Sequence, residues 1–253
     1  MHLDVKGLAK LQDAVPREDR VIDLGAPCKV CAIRRAASES QLTEEDETHL
    51  LSIASNVHLA SGQLLFAEGE AAEHLYSVVE GTMRLCKMMP DGRRQITGFL
   101  FPGDFLGLAD DDVYAYSAEA VGRCSLYRYS FAQLRQLIER YPDMEHKLCA
   151  IARHELAEAQ DQLLLLGRKT ARERVASFLV MLLERAARHG QEGNRLTMPM
   201  TREDIADYLG MATETISRTF TEFRSEGLIA SDHVKDITLL ERDTLETIAG
   251  GLD

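Results

Sequence analysis

The sequence predicts an α+β chain built in three parts: an antiparallel β-roll, a long helix, and a C-terminal winged helix-turn-helix. Three observations carry this. Between about Asn56 and Phe131, short β-rich runs alternate with glycines at 62, 69, 81, 92, 98, 103, 107 and 122, the turn spacing of a roll or barrel. Beyond Tyr141-Pro142, leucines and alanines recur on one narrow helical stripe as far as Gly167. From Thr201 to Arg224, a capped helix, a glycine and a second amphipathic helix follow one another.

Residues 1–40 form a leader, of which residues 1 to about 27 have no sustained periodicity and are expected to be poorly ordered. It carries Cys28-Lys-Val-Cys31, a spacing that lets two thiolates hold a metal or cluster or close a redox disulfide, but supplies only half of a tetrahedral site. The residues that follow, Ala32 to Ser38, add no third thiol.

The roll domain is assigned to residues 41–140. Thr43-Glu-Glu-Asp46 places a hydroxyl cap and acids ahead of a short helix containing Leu50, Leu51 and Ile53. The strand-like runs are Gln63–Phe66, Leu75–Val79, Thr82–Met88, Gln95–Phe99 and Ser125–Tyr129, and Pro90-Asp-Gly92 is a hairpin turn. Phe131 to Arg140 is amphipathic, with Leu134, Leu137 and Ile138 inward, until Tyr141-Pro142 breaks it. Cys86 and Cys149 sit in apolar contexts and read as small buried hydrophobes.

Residues 141–168 are the long helix. Leu148, Ala152, Leu156, Ala159, Leu163 and Leu166 recur at spacings of four, four, three, four and three, which makes a seam rather than a broad core face. Such a stripe either meets a partner helix or packs on its own roll.

Residues 169–253 form the last domain. Thr170 opens a helix containing Val175, Phe178, Leu179 and Leu182; Gly190 to Gly193 makes a turn; Arg195 to Pro199 is a short strand; Gly227–Ala230 and Asp236–Leu240 are the wing strands. Within this domain Thr201 is an N-cap with Glu203 and Asp204 in the first turn, where oxygen and negative charge complement free N–H groups. Ile205 and Leu209 share a face, and Gly210 supplies the left-handed residue that ends the helix. In the second helix Ile216, Phe220 and Phe223 point inward while Glu214, Ser217, Arg218 and Thr221 share the polar face. That polar face suits base edges: an arginine reaches guanine O6 and N7, a glutamate accepts from cytosine N4, and a serine hydroxyl serves either way. Thr201, Arg202 and Thr215 lie where helix N-termini approach a phosphate backbone.

Thr201 to Gly227, above all Glu214-Thr-Ile-Ser-Arg218, resembles the helix-turn-helix of the CRP/FNR family of bacterial transcription regulators, in its FNR and FixK branches. Asp91-Gly-Arg-Arg-Gln-Ile-Thr-Gly-Phe99, Pro102-Gly-Asp-Phe-Leu-Gly107 and Leu163-Leu-Leu-Leu-Gly-Arg168 extend the resemblance from roughly residue 28 to the C-terminus. It implies a cyclic-nucleotide-binding type of roll, a parallel homodimer along the seam, and a TTGA-like inverted-repeat site on double-stranded DNA. It also implies activation through RNA polymerase, with the turn Asp91–Arg94 as one contact, at genes that respond to oxygen limitation or redox state.

Two departures from the family pattern matter. In the cyclic-AMP branch a Gly-Glu and a later Arg-Ser hold ribose and phosphate, but here Gly107 is followed by Leu108, and Tyr116-Ser117 stands in the arginine's place. Three aspartates, Asp110 to Asp112, would repel a phosphate, so no cyclic nucleotide is expected and the aspartates read as a solvated loop. FNR proteins complete an iron-sulfur site with two further cysteines, whereas here Tyr127 falls where the distant one belongs. No cofactor is expected; the alternative is a gas or redox sensor that requires haem or an iron-sulfur cluster for DNA binding, the cluster resting on Cys28 and Cys31 with Cys86 or Cys124.

Composition agrees with this reading. No apolar run approaches the roughly 18 residues of a membrane span, and an odd set of five cysteines is no secreted disulfide framework, so a cytoplasmic location is expected. A net charge of −12 opposes nonspecific binding to nucleic acid, yet Arg168 to Arg224 holds ten Lys/Arg against eight Asp/Glu, so the C-terminal part can approach a duplex. An enzyme is not expected: the chain has no Gly-rich phosphate loop before a helix, no His-Glu-x-x-His, and no Ser or Cys nucleophile in a recognisable setting.

Overall fold

A computed structural model describes residues 21–23, 43–108, 112–188, 193–233 and 236–252. Strand β1 (Val21–Asp23) lies in the leader, ahead of helix α1 (Glu44–Ser52). Thr43 and Asp46 close a reciprocal capping box on α1, as the hydroxyl-then-acid spacing predicts. Eight strands follow: β2 (Ala54–Leu59), β3 (Leu64–Phe66), β4 (His74–Glu80), β5 (Met83–Met88), β6 (Arg94–Leu100), β7 (Phe105–Leu106), β8 (Ser117–Ala120) and β9 (Cys124–Ser130). They make two antiparallel sheets, ordered β2-β9-β4-β7 and β3-β8-β5-β6. Phe66, Val78, Met83, Leu106, Ala118 and Leu126 alternate inward and fill the space between the sheets. The predicted hairpin turn joins β5 to β6, with Gly92 at φ 87°.

Helix α2 (Phe131–Arg140) buries Leu134 and Leu137 against the roll. The chain then turns at Tyr141-Pro142 into α3 (Asp143–Arg168), the long helix. The predicted seam divides into two kinds of residue. Leu148 packs beside the core around Leu50 and Leu75, and Leu166 packs against the C-terminal core. Ala152, Leu156, Ala159 and Leu163 are exposed, Leu156 at 59% and Leu163 at 72%. The helix therefore anchors its ends on its own chain and leaves the middle of the stripe bare.

Thr170 caps α4 (Ala171–Arg188), which buries Val175, Phe178, Leu179 and Leu182. Next come β10 (Arg195–Thr197), α5 (Arg202–Leu209), α6 (Thr213–Ser225), the wing strands β11 (Ile229–His233) and β12 (Asp236–Leu239), and a final α7 (Arg242–Ala249). The wing sheet runs β1-β10-β12-β11.

The structure corrects two expectations. The leader is not featureless: Val21–Asp23 pairs in parallel with β10, supplying the backbone partners that an edge strand leaves free. Residues 1–20 and 24–42, with Cys28 and Cys31, lie outside the described residues. Cys149 is exposed, because one step beyond Leu148 rotates a side chain about 100° away from the packed face. Asp112 is exposed as expected, while Asp110 and Asp111 lie outside the described residues.

Candidate nucleic-acid interface

Helix α5 begins on a complete capping box. The Thr201 hydroxyl accepts from the Asp204 N–H at 3.1 Å and donates to Asp204 Oδ2 at 2.8 Å, and the Thr201 N–H donates to the same oxygen at 2.9 Å. Thr201 is thus committed within its own cap on both its donor and acceptor sides, although it stays exposed. The helix ends at Gly210 (φ 61°, ψ 44°), with the Met211 N–H reaching back to the Ala206 carbonyl at 3.0 Å, a closure that needs the left-handed residue. A side chain at Gly210 would also meet Leu166 Cδ2 at 3.3 Å.

Helix α6 follows after three residues, Gly210 to Ala212. Ile216, Phe220 and Phe223 are buried on its inner face, and Thr219 joins them by donating its hydroxyl to the Thr215 carbonyl at 3.0 Å. Glu214, Ser217, Arg218 and Thr221 are exposed together on the outer face. The Ser217 hydroxyl donates to the Thr213 carbonyl at 3.0 Å, which leaves its oxygen lone pairs turned outward. Unlike α5, this helix has no side-chain cap: its N-cap is Ala212. The positive end of its dipole therefore lies beside Glu214 and the half-buried Thr215, a setting that favours an anion.

Arg202 connects the two helices. Its guanidinium lies 3.7 Å from the centroid of the Phe220 ring. Burial and then the neighbouring Arg224 charge pull its pKa down to about 10, so it remains cationic at neutral pH. Arg224 donates to the Thr221 hydroxyl at 3.0 Å, and Arg172 forms a two-pronged pair with Glu226 at 2.7 and 2.5 Å. Positive groups thus flank the polar face of α6.

Sequence reasoning missed how α5 is held. Arg84 Nη1 meets Asp204 Oδ1 at 2.6 Å, and Arg94 meets Asp207 Oδ2 at 2.8 Å and Asp204 Oδ1 at 3.1 Å. Asp204 and Asp207 are three apart and share a helix face, which was the available signal. The Asp91–Arg94 turn, expected to contact RNA polymerase, is consequently split: Arg93 pairs with Asp91 in solvent, while Arg94 is turned inward.

The roll interior bears on ligand binding. The Gly107 N–H donates to Tyr116 Oη at 3.1 Å, and Ser117 Oγ accepts from the Glu68 N–H at 2.9 Å. Phe66 and Tyr114 stack with centroids 3.7 Å apart in the same region. Gly107, Tyr116 and Ser117 are thus each engaged by bonds within the chain.

The described thiols do not fit a shared iron-sulfur cluster. Cys86 belongs to the core between the roll and the C-terminal domain, whereas Cys124 belongs to the interior of the roll. Burial pushes both thiols up, away from the thiolate that a metal needs. Tyr127 pairs with Asn56 and Ser77 in the sheet.

A β-roll joined through a long helix to a winged helix-turn-helix with an exposed polar recognition face defines a DNA-binding transcription regulator. The Crp-like helix-turn-helix domain matches residues 173–248, and the cyclic nucleotide-binding domain matches residues 56–141. The nitrogen fixation regulation protein FixK of Bradyrhizobium diazoefficiens is 40% identical over 222 residues, covering 88% of this chain and 93% of that protein. The transcriptional activatory protein AadR of Rhodopseudomonas palustris is 43% identical over 199 residues, covering 79% and 83%. The solved structure of FixK2 from Bradyrhizobium japonicum superposes with a TM-score of 0.74 at 35% identity, covering 78% of this chain and 97% of that one. The chain belongs to the CRP/FNR family, in its FixK-like branch. Among the described residues no helix is long and apolar enough to cross a membrane.

Proposed function

We propose that this protein is a homodimeric transcription activator of the cytoplasm that binds a TTGA-like inverted repeat in double-stranded DNA, at genes responding to oxygen limitation or redox state. The observation that carries the proposal is the joint exposure of Glu214, Ser217 and Arg218 on α6, whose opposite face is locked by Ile216, Phe220 and Phe223. A rigid helix offering an acid, a hydroxyl and a guanidinium side by side has the chemistry to read base edges in the major groove. Arg202, Thr215 and the uncapped α6 N-terminus supply backbone contacts. Thr201 contributes by position, its hydroxyl being held in the cap.

The dimer is supported by the bare stretch Ala152, Leu156, Ala159 and Leu163, continued by Leu148 and Leu166 at its ends. A two-fold pairing there sets two α6 helices for successive turns of one DNA face. The exposed Asp91–Arg93 turn is the proposed contact with RNA polymerase. The roll works without a cyclic nucleotide, supported by Tyr116 and Ser117 in the ligand positions, and the protein works without an iron-sulfur cluster, supported by the separation of Cys86 from Cys124.

Selection of bound fragments from random double-stranded DNA, with and without oxygen, tests this reading. Enrichment of an inverted repeat is the expected result. Equal recovery of shuffled and selected fragments under both conditions would overturn it.

A further inference from the structure

Helix α5 is gripped from both ends by parts of the molecule outside the helix-turn-helix. In its first turn, Asp204 is 2% exposed and receives Arg84 and Arg94 from adjacent strands of the roll, and Asp207, three residues on, receives Arg94. Arg84 is itself oriented by Glu119 Oε2, which accepts from its Nε at 2.9 Å and its Nη2 at 2.6 Å. At the C-terminal end, the Tyr208 carbonyl accepts from Gln162 of α3 at 2.8 Å and from Gln95 of β6 at 3.3 Å, and the Leu209 carbonyl accepts from Arg174 of α4 at 2.9 Å. At the same end, the Tyr208 ring lies against Phe99 of β6 and Phe178 of α4, with ring centroids 5.3 and 5.6 Å away. Because α6 leaves α5 through the tight Gly210 turn and shares its core, whatever orients α5 orients α6.

We propose that Arg94 of the roll is a positioning residue for recognition: its pair with Asp207, backed by Arg84 on Asp204, fixes α6 at a set angle to α3 and thereby fixes the separation of the two recognition helices in the dimer. This rests on the DNA-binding reading above. An apolar contact alone tolerates sliding and rotation, whereas forked guanidinium–carboxylate pairs are directional. The requirement for direction is geometric. Adding or removing one base pair between half-sites moves the second half-site by about 3.4 Å and rotates it by roughly 35°. A dimer with locked α6 helices rejects such a site, and a dimer whose α5 can swing accepts it.

The test uses the full chain and a panel of DNAs: the selected inverted repeat, the same repeat with one base pair added or removed between half-sites, and a single half-site. Arg94→Asp and Asp207→Arg are each expected to reduce the preference for correct over altered spacing, on the order of tenfold, while leaving base preference within a half-site unchanged. The double variant R94D/D207R restores the preference, which a purely structural loss would not. Arg94→Gln, which keeps a polar end without the charge, gives the same reduction should the reversals fold poorly.

Hydrogen exchange of the DNA-free protein gives a readout independent of recognition. Segments 94–100 and 202–209 exchange faster together in either single variant and recover in the double. Unchanged spacing preference together with unchanged exchange in the single variants overturns the proposal. Absence of sequence preference in the unaltered protein would instead count against the DNA-binding reading, and the exchange comparison alone then decides whether the pair holds α5.

Discussion

The Arg202 guanidinium lies over the ring of Phe220, 3.7 Å from its centroid, so the first residue of α5 is stacked on a buried side chain of α6. This contact has two consequences that a substitution can separate. Stacking on a ring contributes about 0.5–2 kcal/mol, and the charge adds to the positive rim beside the recognition face. Arg202→Leu keeps apolar cover over Phe220 and removes the charge. If Arg202 contacts phosphate, the slope of log affinity against log salt becomes shallower by about 0.9 for the site it touches, with similar loss on all sequences. Affinity titrations at several salt concentrations read this directly, and an unchanged slope excludes Arg202 from the backbone contacts.

Arg218 is expected to behave in the opposite way. It is exposed on the outer face of α6, next to the buried Thr219 and Phe220, so Arg218→Ala removes no packing. Unfolding by urea should match the unaltered protein. Discrimination at one base pair of each half-site should fall by about 1–3 kcal/mol, measured with single-base variants of the selected site. An Arg218→Ala protein with the original sequence preference would remove this residue from base readout.

The contrast between these arginines explains what sequence could reveal. Caps, turns and stripes are local: Thr201 with Asp204, Gly210, and the spacing of Ile216, Phe220 and Phe223 each act within a turn or two, and each appears where expected. The long helix itself is legible for the same reason, because the period of its apolar stripe persists over the length of α3. The grip of Arg84 and Arg94 on Asp204 and Asp207 was not. It joins residues more than a hundred positions apart, and Asp204 already had a sufficient local role as an acid in the first turn. Strand β1 was hidden for a related reason: three residues are too few to show a period, and their partner β10 lies in another domain. Cys149 was misplaced because apolar neighbours on a helix do not fix the face of the residue beside them.

Acid titration should reveal the joint between α1 and α3. Asp46 caps α1 through Thr43 and accepts from Lys147 Nζ, so two helices meet on one carboxylate. Burial raises its pKa, but the bonds from Lys147 and Thr43 outweigh that, and the net effect is a pKa below the ordinary carboxylate value. A carboxyl depressed in the folded state contributes stability above its unfolded pKa and loses it as pH falls through the folded value. Asp46→Asn is therefore expected to cost about 1 kcal/mol at neutral pH, and the cost should disappear in acid below the carboxylate range. Urea unfolding of both proteins across that pH range checks the sign, and a cost that grows as pH falls would contradict it.

The strongest separation of folding from function should come from α3. Leu156 is 59% exposed and Leu163 is 72% exposed, so neither contributes much to the core of a single chain. In a two-fold pair both would lose that exposure, and burying a leucine contributes about 1.5–3 kcal/mol. A charge at either place would meet its own symmetry mate across the seam. Leu163→Glu should accordingly leave far-ultraviolet circular dichroism and the unfolding of each chain nearly unchanged, while sedimentation shifts from dimer to monomer. Affinity for an inverted repeat should then fall towards that for a lone half-site, because one recognition helix no longer brings the other with it. Leu148→Glu provides the contrast: that side chain packs beside the core around Leu50 and Leu75, so its replacement should lower the unfolding midpoint. A Leu163→Glu protein that remains dimeric and binds the repeat undiminished would place the dimer contact somewhere other than this stripe.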